Sequence, residues 1–133
     1  MSQRCARRLS KIVLLILVFS VNTSLIFLAH ADTWEEVDRW SGEAFPDVDE
    51  LSTEPFFCSA PEWRIRWSYI ATGSPFESIL LIKVYEQGNP EEIDLVFKMS
   101  YYSQNGVNSI HNNDGTFYLN ITAANIEEYL IIV

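Results

Sequence analysis

Hydrophobic and polar positions alternate in the stretch from Trp63 to Tyr69. Every second side chain there is aromatic or aliphatic, and two arginines and a serine lie between them. Because a β-strand turns successive side chains to opposite faces, this pattern predicts a strand with one buried face. Trp63 and Trp67 share that face and carry a large apolar surface, so a second sheet must cover it.

Similar patterns recur through the rest of the chain. Residues 79–82 are apolar at every position, which favours a strand with neighbours on both sides. Residues 92–100, 116–123 and 128–133 alternate again. In residues 92–100 the apolar set predicted to face the core is Ile93, Leu95, Phe97 and Met99.

Turn signals separate most of these segments. Asp114-Gly115 between two alternating runs is a strong hairpin signal, and Asn125 is expected to turn the chain again. Short strands at close spacing predict an all-β fold, specifically an antiparallel two-sheet β-sandwich of six to eight strands with a jelly-roll-like arrangement.

The first 31 residues have the layout of a secretory signal peptide. Basic residues precede an apolar run from Ile12 to Leu28, and Ala29-His30-Ala31 is a small-x-small cleavage motif. Cleavage is expected after Ala31. The alternative is an uncleaved N-terminal anchor, since a run of 17 residues, broken by Ser20 and by Asn22, Thr23 and Ser24, is at the lower limit for crossing a bilayer.

Residues 32–55 differ in composition from residues 56–133. They contain nine acidic residues and a single base, Arg39. Thr33 and Glu36 have the spacing of a capping box, and Trp34, Val37 and Trp40 recur near the helical period. Two interpretations stay open, a short helix from Trp34 to Ser41 and an acidic linker. The predicted organisation is a signal peptide (1–31), this acidic segment (32–55) and a β-sandwich domain (56–133).

Charge restricts the partners of the exported chain. Residues 32–133 contain all 18 acidic residues but five of the nine basic ones, which gives a formal net charge of −13. Such a surface opposes nucleic acid, because that binding depends on Lys and Arg neutralising phosphates. It also opposes anionic membrane surfaces, and no membrane insertion is expected after signal cleavage. The predicted location is secreted, extracellular or in the cell envelope.

Few residues point to catalysis. Cys58 is the only cysteine after residue 31, so no disulfide can form within the exported chain, and burial beside Phe56 and Phe57 is expected. Cys58 and His111 could form a nucleophile–base pair, but no motif accompanies them. The protein is therefore predicted not to be an enzyme.

No cofactor is required by the sequence, although calcium is one candidate ligand. Asp47, Asp49 and Glu50 cluster hard oxygen atoms, and Asp114 lies in a second such run with two asparagines. The alternative is a solvated acidic segment and a hairpin turn.

Aromatic residues suggest both a core and a binding surface. Trp63, Trp67, Phe97, Phe117 and Tyr129 are predicted to lie in the core. Tyr101 and Tyr102 lie in a predicted loop and Tyr118 on the polar face of a strand, where they could stack on a sugar or hold a protein partner. The alternative for these three tyrosines is packing at the rim of the core.

The motifs Trp63-x-Ile-x-Trp67 and Gly115-Thr-Phe-Tyr-Leu-x-Ile121 resemble those of small secreted prokaryotic β-sandwich domains of the CUB or GOLD kind. The resemblance covers about residues 60–133 and implies a jelly-roll fold without catalytic residues. The expected function is a secreted, non-enzymatic module that binds a protein, carbohydrate or other ligand outside the membrane. The alternative is a structural or accessory cell-envelope protein that docks through its acidic N-terminal segment.

Overall fold

The structure, a computed structural model, describes residues 34–111 and 114–133. The predicted signal peptide and its cleavage site lie outside these residues. The described chain forms nine strands and no helix: β1 (Arg39–Ala44), β2 (Asp49–Ser52), β3 (Phe56–Cys58), β4 (Glu62–Ala71), β5 (Ser78–Glu86), β6 (Glu92–Ser100), β7 (Gln104–His111), β8 (Gly115–Ala124) and β9 (Ile126–Ile132). Within these same residues, no helix is long and apolar enough to cross a membrane.

The strands form two antiparallel sheets. The first sheet has the order β1-β9-β4-β7, and the second has the order β2-β8-β5-β6, with β3 also paired to β8. The prediction of an all-β antiparallel fold is confirmed, although the described residues contain nine strands rather than six to eight.

Both sheets contribute to one hydrophobic core. Trp63, Trp67, Phe117 and Tyr129 are all buried, as predicted. The ring of Trp63 on β4 lies 5.1 Å from that of Phe117 on β8 and 5.6 Å from that of Phe56 on β3, measured between centroids. Aromatic contacts therefore join the first sheet to the second.

The acidic segment forms strands, so the prediction of a helix from Trp34 to Ser41 or a linker over residues 32–55 is wrong for most of its length. Residues 34–38 have no regular secondary structure, and β1 and β2 come next in the chain. Strand β1 pairs with β9, and Ala44 at its end is fully buried. An isolated short helix is marginal in water, whereas these ladder bonds and the burial of Ala44 favour the strand.

Strand β6 presents the face opposite to the predicted one from Leu95 to Met99, whereas Ile93 packs against the core as predicted. Val96 is buried, whereas Leu95, Phe97 and Met99 are 45%, 53% and 52% exposed. The prediction that Phe97 belongs to the core is therefore wrong. Strand β6 lies at the edge of the second sheet, and Lys98 on its inward face places its ammonium 5.3 Å from the centroid of the Trp67 ring.

Six of the eight connections between the described strands pass from one sheet to the other, and two of these, at Asp114-Gly115 and at Asn125, fall on predicted turns. Strand β7 belongs to the first sheet and β8 to the second, so the Asp114-Gly115 turn does not close a hairpin. Its residues 112 and 113 lie outside the described chain. The single residue Asn125, with φ of 54°, returns the chain from β8 to β9 in the first sheet. The prediction of a turn at Asn125 is confirmed.

Candidate functional site

Four connections meet at one end of the two sheets. They link β1 to β2 (45–48), β4 to β5 (72–77), β6 to β7 (101–103) and β8 to β9 (Asn125). The strand register brings them together, because Ala44 and Ala71 both pair with Ile126 and Ser78 pairs with Ser100.

These connections expose large apolar side chains. Phe45 and Phe76 are each 49% exposed, Tyr101 is 45% exposed and Tyr102 is 78% exposed. The rings of Phe45 and Phe76 lie 6.3 Å apart between centroids. We call these four side chains, with the exposed Val48 in the same connection as Phe45, the aromatic loop end. Loops held by a rigid scaffold are a common place for binding residues, and aromatic residues are enriched at interfaces.

Hydrogen bonds hold these loops in place. The carbonyl oxygen of Asn125 accepts bonds from the Thr72 hydroxyl at 3.1 Å and from the Ser78 hydroxyl. The Asn125 side-chain amide donates to the carbonyl oxygen of Glu77 at 2.9 Å. The Ala71 amide donates to the Ser103 hydroxyl oxygen at 3.0 Å. The framework is thus ordered before any partner arrives, which lowers the entropy cost of binding.

The charge of these loops is acidic. Asp47 and Glu77 are the charged residues in 45–48, 72–77 and 101–103, and these segments contain no Lys or Arg. Aromatic faces can stack on a sugar ring or contact apolar and cationic groups of a protein. Two carboxylates beside them oppose phosphates and other anions.

The structure brings together two of the three predicted ligand-binding tyrosines. Tyr101 and Tyr102 lie at the aromatic loop end, but Tyr118 stacks on Tyr85 with centroids 5.2 Å apart and an interplanar angle of 13°. Tyr85 is seven positions along β5 from Ser78, which corresponds to about 23 Å in a strand. Tyr118 therefore belongs to a different part of the molecule.

The sequence interpretation missed Phe45 and Phe76. Each adjoins a proline within a loop, in the dipeptides Phe45-Pro46 and Pro75-Phe76. An aromatic residue next to a proline, outside any alternating run, was the available signal, because proline marks a turn and a turn lies at the surface.

The proposed calcium ligands are not brought together. Asp49 on β2 accepts a 2.6 Å hydrogen bond from the hydroxyl of Tyr129, while Glu50 is the next residue and lies on the opposite face of the strand. Asp114 precedes Gly115 at the far end of β8 from Ala123, the partner of Asp49. In the described chain, no group of three or more His, Cys, Asp or Glu side chains could hold a metal ion. The geometry gives the calcium prediction no support.

Tyr129 and Asp49 instead form a structural contact between the sheets. Tyr129 lies on β9 of the first sheet and Asp49 on β2 of the second. Burial of the Tyr129 ring, together with the hydrogen bond to the Asp49 carboxylate, raises the pKa of the phenol well above its usual value. Tyr129 therefore remains a neutral donor to Asp49.

Cys58 does not present a reactive thiolate. It is 3% exposed, and burial raises the pKa of its thiol to about 11, so the neutral thiol is the form present near neutral pH. The thiolate is the nucleophilic form of cysteine. His111 is exposed, with Nδ1 3.9 Å from a carboxylate oxygen of Glu62.

The outer face of the first sheet offers a second surface. Two adjacent depressions of about 330 and 310 Å³ share Ser68, Asn105 and Leu130 in their lining. Arg66 is exposed at the first of them, and the pairing of β1, β4 and β9 places Arg39 and Arg66 on this same face. The depressions are shallow and are lined by both polar and apolar residues, and the exposed aromatic side chains of the aromatic loop end lie elsewhere.

No protein-family model, curated protein or solved structure matches this chain.

Proposed function

We propose that this chain is a secreted, non-enzymatic binding module that engages a protein or carbohydrate partner through the aromatic loop end. The observation that carries the proposal is the exposure of Phe45, Phe76, Tyr101 and Tyr102 on three loops at one end of the sheets. Aromatic side chains supply large contact areas and lose little conformational entropy on binding, since each has two side-chain torsions.

The finer description of the fold is part of this proposal. We regard the two sheets as a jelly-roll-like β-sandwich. The contacts of Trp63 with Phe117 and of Tyr129 with Asp49 support it, because each joins one sheet to the other. The strand order supports it as well, because six of the eight connections between the described strands move the chain from one sheet to the other.

The signal-like residues 1–31 and the acidic charge of residues 32–133 favour a place outside the membrane. The alternative, an accessory envelope protein docked through residues 32–55, has less support. Within that segment β1 and β2 already pair with β9 and β8, which leaves less of it available to a partner.

Capture from the extracellular and envelope fractions of the native cells tests the proposal. The immobilised wild-type protein is compared with Tyr101→Ser/Tyr102→Ser and with Tyr118→Ser as the matched control. The double variant should lose at least about tenfold of any captured protein or glycan, because exposed aromatic residues are frequent interface hot spots. Tyr118→Ser should retain it. Equal capture by all three proteins would contradict the proposed site.

A further inference from the structure

Strand β6 is the edge strand of the second sheet, and some of its backbone amides point away from β5, its neighbour in that sheet. The amide of Leu95 donates to the carboxylate of its own neighbour Asp94 at 2.7 Å. In an antiparallel ladder, residues two apart direct their amides to the same side. The amides of Phe97 and Met99 therefore also point to the free edge, where no strand of the described chain pairs with β6.

The side chains of β6 are unusual for such an edge. Leu95, Phe97 and Met99 expose about half of their surface on the outer face. The inward face carries Asp94 and Lys98, both half-buried, one on each side of Val96. The outward amides of Phe97 and Met99 and the exposed apolar side chains favour pairing with another strand, whereas the inward charges of Asp94 and Lys98 oppose it unless the partner offers opposite charges there.

We propose that two copies of this chain pair through β6, antiparallel, with Val96 opposite Val96 of the second copy. The choice of a second copy as the occupant rests on charge complementarity within the strand itself. In this register Asp94 lies opposite Lys98 of the second copy, and the two-fold symmetry repeats that ion pair. An isologous contact of this kind needs a self-complementary surface, and β6 has one.

The outer face is matched in the same register. Leu95 lies opposite Phe97 of the second copy, and the two-fold symmetry repeats this apolar pair. Apolar cross-strand pairs of this kind stabilise antiparallel sheets. A shift of two residues in either direction places Asp94 opposite Val96 or Ser100, which removes the pairing of Asp94 with Lys98. A shift of one residue would place inward and outward side chains opposite each other.

Two neighbouring contacts favour this arrangement. The position of the Lys98 ammonium over the Trp67 ring keeps that side chain on the inward face of β6. Lys83 and Glu92 lie beside the exposed apolar side chains of β6. The Lys83 ammonium is 3.8 Å from a carboxylate oxygen of Glu92, so the two charges offset each other. Residues 32–133 carry a net charge of −13, but few unpaired charges of the same sign face each other across the proposed contact. Because the strands are antiparallel, the two aromatic loop ends of the dimer point in opposite directions, but the pairing does not depend on what those ends bind.

Charge reversal tests the pairing. Sedimentation velocity over a range of concentrations compares the purified wild-type protein with Asp94→Lys, Lys98→Asp and the double variant Asp94→Lys/Lys98→Asp. Glu50→Lys on β2 controls for a change in net charge. The wild type should dimerise, each single reversal should weaken dimerisation at least about tenfold, and the double variant should recover most of the loss.

A monomeric wild type at all concentrations up to about 0.5 mM would overturn the proposal, since even weak specific contacts associate in that range. Dimerisation unaffected by either reversal would overturn it too. Thermal unfolding of each variant shows whether it is folded.

Should a reversal unfold the chain, a cysteine cross-link tests the same register in a Cys58→Ala background. Opposed residues in a non-hydrogen-bonded pair have Cα atoms about 4.5 Å apart, within disulfide range. Val96→Cys should form a disulfide-linked dimer under mild oxidation, whereas Leu95→Cys should not. The reverse result, or no cross-link from Val96→Cys, would overturn the register.

Discussion

The indole ring of Trp67 lies over the backbone of Gly106, the residue opposite it on β7. A Cβ atom at position 106 would lie 2.5 Å from Cζ2 of Trp67. The indole nitrogen donates a 2.9 Å hydrogen bond to the side-chain oxygen of Asn108, which holds the ring in this place. Glycine is therefore required at position 106 because a side chain there would collide with the Trp67 ring, and not because of a turn in the backbone.

Replacing this glycine should destabilise the fold. Gly106→Ala forces the Trp67 ring or the β7 backbone to move, and overpacking of this kind typically costs about 1–3 kcal/mol of unfolding free energy. Ser109→Ala, on the exposed face of the same strand, is the matched control and should change stability by less than about 0.5 kcal/mol. Urea unfolding measures both variants. Equal stabilities would show that the ring does not occupy this position.

The two faces of β4 should respond differently to truncation. Trp67→Ala removes a buried indole and leaves a cavity, which typically costs about 3–5 kcal/mol. Arg66→Ala removes an exposed side chain and should cost less than about 1 kcal/mol. Thermal and chemical unfolding of both variants checks the comparison. If Trp67→Ala melted like the parent protein, the indole would not be part of the core.

Burial of Cys58 should make stability depend on alkaline pH. The pKa of its thiol rises from 9.0 to about 11 on folding, so between these values the unfolded chain loses a proton that the folded chain keeps. The stability that comes from keeping the Cys58 thiol protonated is complete below pH 9 and is lost as the pH rises towards 11. The unfolding free energy should fall by about 2–3 kcal/mol over this range.

Urea unfolding at pH 8 to 11 measures this fall, and Cys58→Ala serves as the control. Tyr129 contributes in the same direction, because its pKa is also raised by burial, and its part should remain in the variant. Identical pH profiles for the two proteins would contradict burial of the thiol. Rapid labelling of native protein by a thiol reagent would contradict it as well.

Alternation along the chain predicted the inner face of β4 because the apolar positions and the polar positions there indicate the same orientation. Trp63 and Trp67 are apolar and the residues between them are mostly charged or polar, so one orientation is clearly favoured. The turn at Asn125 was also predictable, because asparagine tolerates positive φ. Tyr101 and Tyr102 could be placed at a surface because a loop was evident around them.

The orientation of β6 could not be predicted in the same way. Its more apolar face, with Phe97, is the exposed one, and only Val96 on the other face is fully buried. Local hydrophobicity favours Phe97 inward. At a sheet edge, however, the contact of Lys98 with Trp67 and the pairing with β5 decide the orientation, and both depend on residues distant in sequence.

Pairing over long sequence distances also explains the other differences. Strands β1 and β2 pair with β9 and β8, which lie near the other end of the chain, so nothing near Trp40 in the sequence indicates a strand. The local signal at Asp114-Gly115 predicts a turn but not which sheet the next strand joins. Phe45 and Phe76 likewise approach each other only because the register of three strands brings their loops to one end.

Hydroxyl-radical footprinting of the protein with and without its captured partner tests most directly whether the aromatic loop end is the binding surface. Aromatic side chains label readily when exposed, so protection on binding maps the contact. Tyr102, which is 78% exposed, should show the largest protection, with Tyr101, Phe45 and Phe76 also protected and Tyr118 unchanged. Protection of Tyr118, or of the outer face of the first sheet around Arg66, with Tyr102 unaffected would contradict the proposed function.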